Sequence, residues 1–382
     1  MKAVILAAGK ATRMGKLCET IHKCMLPVGG KPLLEWNMEK IFDYVDDFVI
    51  VVGYRKEDII NYFGFEFKGK KITYVEQKEQ KGTGHALLQV KDIVNGKFVV
   101  LMGDDWYPSV EIPNELTIFG QRVEDSSKFG ILETNDGKLV SIVEKPEGRK
   151  NELVNMGFYV LDENIFEILE RLKESPRGEI ELTDAVVQLK PLVKEIEGWM
   201  GIAYPWELFE VNKIVLEYED NIGIIKDTLK VNEAKVNLKN GTVILHNCVI
   251  EGPVYIGKNC KIGPNAYLRA GTSIGNNCHI GSSEIKNSII MDRSNVPHFS
   301  YVGDSVIGRD CNLGAGTMIA NLRFDDKTIK CESKGRRDTG LRKLGVIMCD
   351  NVKTGVNVSI MPGVVISSGQ QIKPGEIVAR DL

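Results

Sequence analysis

The 382-residue sequence lacks the features that would assign it to several specialised protein classes. No apolar run approaches the roughly 20 residues of a membrane-spanning helix, and the start MKAVILAAGK becomes polar too early for a signal peptide. Charge of one sign is not in excess, since 49 basic and 52 acidic side chains leave a net charge of −3. We therefore expect a cytoplasmic protein with neither a nucleic-acid nor a membrane partner.

The sequence also lacks a Cys-x-x-Cys pair, although it contains eight cysteines. Three of them, Cys248, Cys260 and Cys278, are separated by multiples of six residues, and each follows an isoleucine by four positions. A thiol that neither pairs nor binds a metal behaves as a small buried hydrophobe. The pattern therefore favours a packing role over redox or metal chemistry.

Length and composition indicate two globular domains, because 382 residues are long for one domain and 43% of them are hydrophobic. In residues 1–220, short apolar runs alternate with amphipathic segments, which predicts an open, mainly parallel α/β sheet with helices on both faces. Ligands of such sheets collect at the carboxyl ends of the strands. The predicted strands are 3–8, 48–53, 71–75 and 97–103, and the predicted helices are 31–45 and 85–94.

A different period begins after residues 221–240, which read as a connector. Through residues 241–382, aliphatic residues recur every six positions, with interruptions. This period fits neither a helix nor an alternating strand and is typical of a parallel β-helix, in which each aliphatic residue points inward. The series comprises Ile244, Ile250, Ile256, Ile262, Leu268, Ile274, Ile280, Ile307, Leu313, Ile319, Val346, Val352, Val358 and Val364.

Two segments interrupt the six-residue period. Residues 286–305 break the register, and residues 321–345 form a polar, basic insertion. A pair of solvated loops would explain both interruptions. Long loops on a solenoid also cover binding surfaces, and the first segment contains His298, so we expect a functional role.

The N-terminal region carries a phosphate-binding pattern. LAAGKATRM (6–14) leaves a predicted strand, and Lys23 and MLPVGGKP (25–32) follow. Together these motifs resemble the opening signature of the nucleotidylyltransferases that act on sugar 1-phosphates. The resemblance implies a Rossmann-like fold in which backbone N–H groups of the loop at Ala8 and Gly9 bind the triphosphate.

Two cations of this region match residues of that family. Arg13 and Lys23 would neutralise the charge that develops as the sugar phosphate attacks the α-phosphorus and pyrophosphate leaves. The chain departs from the family pattern in two places. Ala11 stands where glycine is usual, and ETIHK (19–23) lacks the common proline before the lysine.

Further motifs follow in the order of the family. EQKEQKGTGHA resembles the loop that reads the base, so Gln77, Gly82 and Thr83 would contact the edge of uracil or thymine. Asp104 follows a predicted strand, where the family places its Mg²⁺ ligand, and a carboxylate oxygen suits this hard cation.

Four later motifs match family elements that line the sugar. They are KFG (128–130), VEKP (143–146), NMGFYVL (155–161) and ELTDAV (181–186). The resemblance implies that the sugar hydroxyls and phosphate contact Gly130, Glu144, Asn155 and Thr183. Short polar residues beside strands also serve as turns or caps, but the ordered set favours substrate contacts.

The last element of this family in the chain reads GWMGIAYPW. Trp199, Pro205 and Trp206 keep the family frame, whereas Gly201 occupies the position of the second acidic Mg²⁺ ligand. Glycine has no side chain with which to coordinate a metal. Two hypotheses are therefore open for the nucleotidyl domain: it is fully active, or it is weak or only binds ligand.

The segment NVPHFSYVGDSVIGRDCNLGAGTMIANLRFDDKTIK (295–330) resembles the acetyltransferase half of bifunctional enzymes that make UDP-N-acetylglucosamine, particularly the archaeal ones. The resemblance implies a left-handed β-helix that assembles as a homotrimer. In this family an aminosugar phosphate attacks acetyl-CoA. His298 matches the general base, since a neutral imidazole can accept a proton near pH 7.

Other positions match substrate-binding residues of the acetyltransferases. The resemblance implies that Arg269 and Lys286 hold the sugar phosphate, that Tyr301, Asn312 and Lys327 surround the sugar and amine, and that Asn321 and Lys330 orient the substrate and acetyl group. The run Gly-Ala-Gly around Ala315 would let the backbone approach the pantetheine arm of acetyl-CoA. The basic residues of 330–343 would meet CoA phosphates or simply be solvated.

The two resemblances cover nearly the whole chain and predict one bifunctional enzyme. Its substrates would be an aminosugar 1-phosphate, acetyl-CoA and UTP, its cofactor Mg²⁺ and its product a UDP-N-acetylhexosamine. One alternative is an acetyltransferase whose nucleotidyl domain is weak or only binds ligand, because of Gly201 and Ala11. Another is a non-catalytic regulatory subunit built from the same two modules, and His298, Lys23 and Asp104 argue against it because assembly alone does not need them.

Overall fold

The computed structural model describes residues 1–144, 148–218, 229–230 and 235–382. The predicted boundary at residue 220 and most of the predicted connector 221–240 lie outside these described residues. The chain divides into two compact units. The first comprises Met1–Lys10 and Leu33–Gly201, and the second comprises Ala11–Pro32 and Ile202–Leu382.

The first unit is built on a sheet to which ten of the described strands contribute. Four of them are parallel and lie side by side in the order Lys70–Glu76, Phe48–Val52, Lys2–Ala7 and Lys97–Met102. All five side chains of Phe48–Val52 are buried. Such continuous apolar runs are expected where helices cover both faces of a parallel sheet.

The other half of this sheet is mainly antiparallel, which corrects the prediction of a mainly parallel sheet. Its strands are Thr117–Asp125, Gly130–Asn135, Lys138–Glu144, Lys150–Asp162 and Leu192–Glu195, and Glu66–Phe67 pairs at the opposite edge. Short turns between successive strands cause the difference, because a parallel crossover needs a dozen or more residues. Asp136 and Gly137, with φ of 49° and 74°, form such a two-residue hairpin turn.

Helices pack against the sheet of the first unit. They are Leu33–Ile41, Lys56–Phe63, Thr83–Leu88, Asn164–Arg171 and Leu182–Leu189, with a 3₁₀ turn at Phe42–Tyr44. The predicted helix 85–94 ends early, at Leu88. The side chain of Gln89 donates to the carbonyl oxygen of His85 at 2.9 Å, while the backbone N–H of Gln89 bonds to Ala86 in a tighter turn. That side chain thus competes with the helical hydrogen bond.

The second unit contains rows of short parallel strands. In many of the described turns, paired residues of neighbouring strands are eighteen positions apart, as in Val254↔Thr272 and Val346↔Val364, which is three hexads. This arrangement is consistent with the predicted parallel β-helix. The strands are Leu229–Lys230, Val236–Leu238, Val243–Ile244, Val249–Ile250, Val254–Ile256, Lys261–Ile262, Tyr267–Leu268, Thr272–Ile274, His279–Lys286, Ile289–Ile290, Asn295–Gly303, Val306–Ile307, Met318–Ile319, Val346–Met348, Lys353–Thr354, Ser359–Ile360, Val364–Ile366, Gln371–Ile372 and Ile377–Val378.

The six-residue period produces a single core along these turns. Ile256, Ile262 and Ile280 are fully buried in it, and cysteines such as Cys260 and Cys311 fill the same core, as the packing role predicts. Several corners are formed by asparagines in the left-handed region, where asparagine is tolerated better than most side chains. They include Asn247, Asn259, Asn265 and Asn277.

The two interruptions of the period have different structures. Residues 286–305 are not a long loop, because they contain the strands Ile289–Ile290 and Asn295–Gly303 within the same rows. The register breaks because the turns shorten, with Ser273 pairing Ile289 at a spacing of 16. By contrast, 321–345 is a true insertion with its own hairpin, Lys330–Ser333 and Gly335–Asp338, and it raises the spacing at Met318↔Ser359 to 41.

The remaining described elements of the second unit are helical turns, a short hairpin and one α-helix. They are the 3₁₀ helices Thr12–Glu19, Lys23–Met25 and Pro205–Glu207, the paired strands Pro27–Val28 and Lys31–Pro32, and the helix Leu208–Tyr218. Among the described residues, no helix combines the length and apolar character needed to cross a bilayer.

Replacing an inward isoleucine of the solenoid should destabilise the protein strongly. Ile280→Ala removes three carbons from a fully buried position and should lower the free energy of unfolding by about 2–5 kcal/mol. The matched control is Ile377→Ala on a later turn, where the side chain is 66% exposed and a change below about 0.5 kcal/mol is expected. Urea unfolding followed by circular dichroism measures the free energy of unfolding of both variants. Equal losses of this free energy would contradict an inward-facing core.

Candidate functional sites

The carboxyl ends of the parallel strands bring the first set of predicted residues to one edge of the sheet. Ala8 follows Lys2–Ala7, and Gln77 follows Lys70–Glu76. Backbone hydrogen bonds continue past the strand ends, from Gly103 to Leu6 at 2.9 Å and from Gln77 to Val52 at 2.8 Å. This is the edge at which α/β sheets bind ligands.

The base-reading loop predicted at Gln77 is ordered by its own side chain. Gln77 is 3% exposed, and its Nε2 donates to the carbonyl oxygen of Gly82 at 3.1 Å. Thr83 begins the next helix, and its hydroxyl oxygen accepts from the N–H of Leu182 at 3.4 Å. Thr183 is the neighbour of Leu182, so the structure brings the predicted base-reading and sugar-binding residues of this edge together.

Three further predicted sugar-binding residues lie beside one another on adjacent antiparallel strands. Gly130 and Glu144 are register partners, and a Cβ added to Gly130 would lie 3.0 Å from a carboxylate oxygen of Glu144. Val154 pairs with Ile131, which places Asn155 beside Gly130. Asn155 is held by its own contacts, since its Nδ2 donates to the Tyr159 hydroxyl at 2.8 Å. The Lys145 and Pro146 positions of the VEKP motif lie outside the described residues.

The loop after Lys97–Met102 carries Asp104 and is held by the helix Leu33–Ile41. Asn37 donates through Nδ2 to the carbonyl oxygen of Asp105 at 2.7 Å. The ammonium of Lys40 lies 3.0 Å above the centre of the Trp106 ring and donates to the carbonyl oxygen of Tyr107. Burial lowers the pKa of Lys40 to about 7. The loop that bears Asp104 is thus fixed by the buried Asn37 and the half-buried Lys40.

Gly201 lies next to this loop. Trp106 and Met200 exchange reciprocal backbone hydrogen bonds of 3.0 and 2.9 Å, so Gly201 sits beside the segment that bears Asp104. A Cβ at position 201 would meet the rings of Trp199 and Phe129 at 3.1 and 3.3 Å. The position of the expected second carboxylate is therefore near the loop, but the two rings leave little room for a larger side chain.

The donor set at this edge suits Mg²⁺ with substrate present. Among the described residues, no group of three or more His, Cys, Asp and Glu side chains could hold a metal ion. Mg²⁺ does not require such a cage, because it commonly takes one or two carboxylates and completes its shell with water and phosphate oxygens. Asp104 at the strand end supplies such a carboxylate.

The two predicted cations of the nucleotidyl reaction, Arg13 and Lys23, belong to the second compact unit. Arg13 is exposed on the turn Thr12–Glu19, and Lys23 is only 7% exposed. Ala11, which precedes this turn, has φ of 50°. This left-handed conformation explains why glycine is usual at the position, since it costs an alanine about 1–2 kcal/mol.

The predicted acetyltransferase base lies at a bend between two rows of strands. His298 is exposed on Asn295–Gly303 and is the register partner of Ser282. Its carbonyl oxygen accepts from the N–H of Gly316 at 3.1 Å, which places Ala315 close to it in the next turn. Burial and the charges of Lys261 and His298 lower the pKa of His279, the nearby second histidine.

Two of the predicted substrate residues share one buried carboxylate, and a third is bonded to one of them. Lys286 pairs with Asp304 at 3.0 Å, and Asn321 donates through Nδ2 both to Asp304 and, at 3.1 Å, to the hydroxyl of Tyr301. Asp304 itself is 5% exposed. A cation and two polar groups are therefore held in a fixed array.

The other predicted acetyltransferase residues differ in how directly their contacts connect them to this array. Arg269 lies one turn away and pairs with Glu284 at 3.0 Å. Asn312 forms bridges with Asn295 and Lys353 in the row next to that of Tyr301. Lys327 and Lys330 lie on the insertion, with Lys330 in its hairpin, and the described contacts do not join either to His298.

Comparison with known proteins decides the family. The family model "Nucleotidyl transferase" matches residues 2–216, and the model "GMPPB C-terminal domain" matches residues 250–334. The chain is 41% identical to the "Bifunctional protein GlmU" of Methanocaldococcus jannaschii, over 100% of this chain and 96% of that protein. The chain belongs to the nucleotidyl transferase family.

Other members and solved structures agree with this membership. The "Bifunctional sugar-1-phosphate nucleotidylyltransferase/acetyltransferase" of Sulfurisphaera tokodaii is 41% identical, over 100% of this chain and 98% of its own. The structure of a UDP-glucose pyrophosphorylase complexed with UDP-glucose matches with a TM-score of 0.51 at 26% identity, covering 57% of this chain and 99% of that one. A putative glucose-1-phosphate thymidylyltransferase from Bacillus anthracis gives 0.53 and 26%, covering 59% and 98%. The Rossmann-like domain is thereby confirmed.

The sequence alone did not identify three polar residues that organise these candidate sites. Asn37 and Lys40 lie among apolar residues of one helix, and their three-residue spacing was the available signal, because it places both on one helix face. Asp304 follows the motif YVG, in a segment that was read as a break in the period. Their partners are distant in sequence, so no local pattern reveals them.

Lys40→Met should remove a pH-dependent part of the stability. The unfolded chain restores the Lys40 pKa to 10.5, so unfolding between about pH 7 and 10 takes up a proton. The free energy of unfolding of the wild type then rises with pH, by up to about 1.4 kcal/mol per unit, and the variant lacks this contribution. Urea titrations should give a wild-type-minus-variant difference that grows above about pH 7, and a flat difference would contradict the lowered pKa.

Gly303→Ala should disturb the acetyltransferase array selectively. A Cβ at this position would lie 2.5 Å from the Tyr301 hydroxyl oxygen and 2.7 Å from Nδ2 of Asn321, so both side chains must move. We expect the KM for the aminosugar phosphate to rise about tenfold, since one lost polar contact is worth about 1–1.5 kcal/mol. Pyrophosphate release by the same preparation is the control. An unchanged KM would show that this array does not bind the aminosugar phosphate.

Proposed function

We propose that the protein makes a UDP-N-acetylhexosamine by two reactions, acetyl transfer to an aminosugar 1-phosphate and uridylyl transfer to the N-acetylated product. The observation that carries the proposal is the exposed His298, which lies beside the turn of Ala315 and close in sequence to the Lys286–Asp304 array. Residues 2–216 of the same chain match the nucleotidyl transferase model. The relative from Sulfurisphaera tokodaii, matched over 98% of its length, is named for both activities, and the one from Methanocaldococcus jannaschii, matched over 96%, is named as a bifunctional protein.

Acetyl transfer is assigned to His298 and to the residues of the Lys286–Asp304 array. The amine of the aminosugar attacks the thioester carbon of acetyl-CoA, a C–N bond forms and the C–S bond breaks. The His298 imidazole accepts the proton of the amine and can return it to the departing thiolate. Lys286 and Arg269 would hold the sugar phosphate, and Tyr301, Asn312, Asn321, Lys327 and Lys330 would orient the sugar, the amine and the acetyl group.

Uridylyl transfer is assigned to the residues at the sheet edge together with Arg13 and Lys23. A phosphate oxygen of the sugar attacks the α-phosphorus of UTP, and pyrophosphate leaves. Gln77, Gly82 and Thr83 would orient the base, and Arg13 and Lys23 would stabilise the charge that develops. Asp104 would hold Mg²⁺ together with phosphate oxygens, and when bound this ion would neutralise phosphate charge.

The proposal includes an assembly, a fold detail and a location. The solenoid would be a left-handed β-helix of hexapeptide repeats, and its acetyl sites would lie between the subunits of a homotrimer. His298, Lys327 and Lys330 are all exposed, which leaves room for contacts from another subunit. UTP and acetyl-CoA as substrates favour the cytoplasm.

Gly201 supports one alternative. Without the second carboxylate, the chain would be an acetyltransferase whose nucleotidyl domain is weak or only binds ligand. A non-catalytic scaffold is the second alternative. The exposed His298 at the bend argues against a scaffold, because packing does not require a histidine there.

Two assays on the purified protein distinguish these readings. Glucosamine 1-phosphate with acetyl-CoA should release free thiol, and N-acetylglucosamine 1-phosphate with UTP and Mg²⁺ should release pyrophosphate. Galactosamine 1-phosphate and dTTP in parallel reactions identify the preferred sugar and nucleotide. Thiol without pyrophosphate would favour the acetyltransferase alternative, and neither product would favour the scaffold.

His298→Ala should abolish thiol release, with a loss of at least about 100-fold from removal of the general base, and should leave pyrophosphate release intact. The matched control is His246→Ala, which removes another exposed histidine of the same unit and should leave both rates within about twofold. If thiol release survives in His298→Ala, the assignment of the base is wrong.

A further inference from the structure

The segment Ala11–Pro32, which we call the signature segment, carries Arg13 and Lys23 and packs within the second compact unit. Side chains of the solenoid, its insertion and the helix Leu208–Tyr218 bind it at several points. We propose that Asn212, Arg309, Ser333 and Ser367 are positioning residues for nucleotidyl transfer, which hold the signature segment without contacting substrate. This inference rests on the uridylyl transfer proposed above.

Arg309 fixes the middle of the signature segment. Its Nη2 donates to the carbonyl oxygen of Thr20 at 2.8 Å. The guanidinium is itself held by Asp350, with Nε donating to a carboxylate oxygen at 2.9 Å, and Asp350 is only 3% exposed. A donor immobilised by a buried carboxylate offers one fixed position to its acceptor. The Thr20 carbonyl lies three residues before Lys23.

Ser333 and Ser367 hold the part that bears Arg13. The hydroxyl of Ser333, on the insertion, donates to the carbonyl oxygen of Arg13. Two residues further on, a Cβ at Gly15 would lie 3.5 Å from Ser333. The ammonium of Lys16 donates to Oγ of Ser367 at 2.7 Å and to the carbonyl oxygen of Leu382 at 3.0 Å. The turn of Arg13 is therefore bound to residues more than 300 positions away.

Asn212 anchors the other end of the signature segment. It is fully buried, and its Oδ1 accepts from the N–H of Gly29 at 2.9 Å and from Oγ of Ser273 at 2.6 Å. Its Nδ2 donates to the carbonyl oxygen of Gly271 at 2.9 Å. One amide thus joins the turn after Lys23 to the solenoid strand Thr272–Ile274 and to the residue that precedes it. All its contacts are buried, where unpaired groups are costly.

These contacts matter for catalysis because the effect of Arg13 and Lys23 on the transfer step depends on where their charges lie. A cation that stabilises developing charge loses much of its effect when it moves by about 1 Å, and such misplacement can cost about 100-fold in rate. Each anchor binds backbone or Lys16, and none requires substrate. Loss of an anchor should therefore slow the transfer step and affect substrate affinity less.

The test uses the full-length double variant Ser333→Ala and Ser367→Ala, which removes two hydroxyls and leaves the solenoid core intact. We expect its kcat for uridylyl transfer to fall about tenfold, with the KM for UTP changed less than about threefold. Thiol release from acetyl-CoA should stay within about twofold of wild type. The control is Thr328→Ala, which removes an exposed hydroxyl of the same insertion that bonds to Asp338 and should change uridylyl transfer less than about twofold.

A second measurement keeps the inference separate from the proposed activity. Hydrogen–deuterium exchange of residues 11–25 should be faster in the double variant than in wild type, and unchanged in Thr328→Ala. Unchanged exchange overturns the anchoring, whatever the activity. Faster exchange with an unchanged kcat overturns the role in transfer. If wild type releases no pyrophosphate while exchange responds as expected, uridylyl transfer itself fails and this role fails with it.

Lys16→Met provides an independent check on the same anchors. It removes the ammonium that bonds to Ser367 and Leu382 and leaves the solenoid residues in place. Its kcat should fall in the same direction as that of the double variant. The kcat of the variant that combines Lys16→Met with Ser367→Ala should be little lower than that of either single variant, because both substitutions remove the same contact. Additive losses would contradict the proposed contact.

Discussion

Burial of one aliphatic side chain per hexad is the constraint on which the second half of this protein depends. Each hexad presents only a short strand, which has no stability of its own, and it becomes stable when its isoleucine or valine joins the core shared by the neighbouring turns. The corners must then be tight, and asparagines such as Asn259 and Asn277 adopt left-handed conformations there. Exposed functional groups are confined to the outside of this core and to the single long insertion.

The same constraint determines how the acetyl site is built. At residues 286–305 the turns shorten, and the strand Asn295–Gly303 runs round a bend and carries His298 outward. The inward residues Val296 and Val302 stay fully buried on either side. Strict alternation would turn His298 to the same face as Val296 and Val302. The bend, at which Phe299 has φ of 46°, interrupts that alternation, so His298 is exposed without opening the core.

The regular parts of the structure could be predicted from the sequence, and the parts that depend on distant partners could not. Continuous apolar runs located the four parallel strands to within a residue or two, and the six-residue period located the core of the solenoid. The antiparallel half of the sheet was missed although the turn at Asp136 and Gly137 is a local hairpin signal. Asn37, Lys40, Asp304 and Arg309 acquire their roles from contacts with residues tens to hundreds of positions away, which no local pattern contains.

The placement of the signature segment has a consequence for the synthesis of the protein. Lys16 leaves the ribosome 351 residues before Ser367 and 366 residues before Leu382, so it must wait for these two hydrogen-bond partners. At about 5–20 residues per second this delay is roughly 20–70 s. During that time the parallel strands around Lys2–Ala7 can already form a sheet. The segment that carries Arg13 and Lys23 therefore completes its hydrogen bonds only after Ser367 and Leu382 have been made.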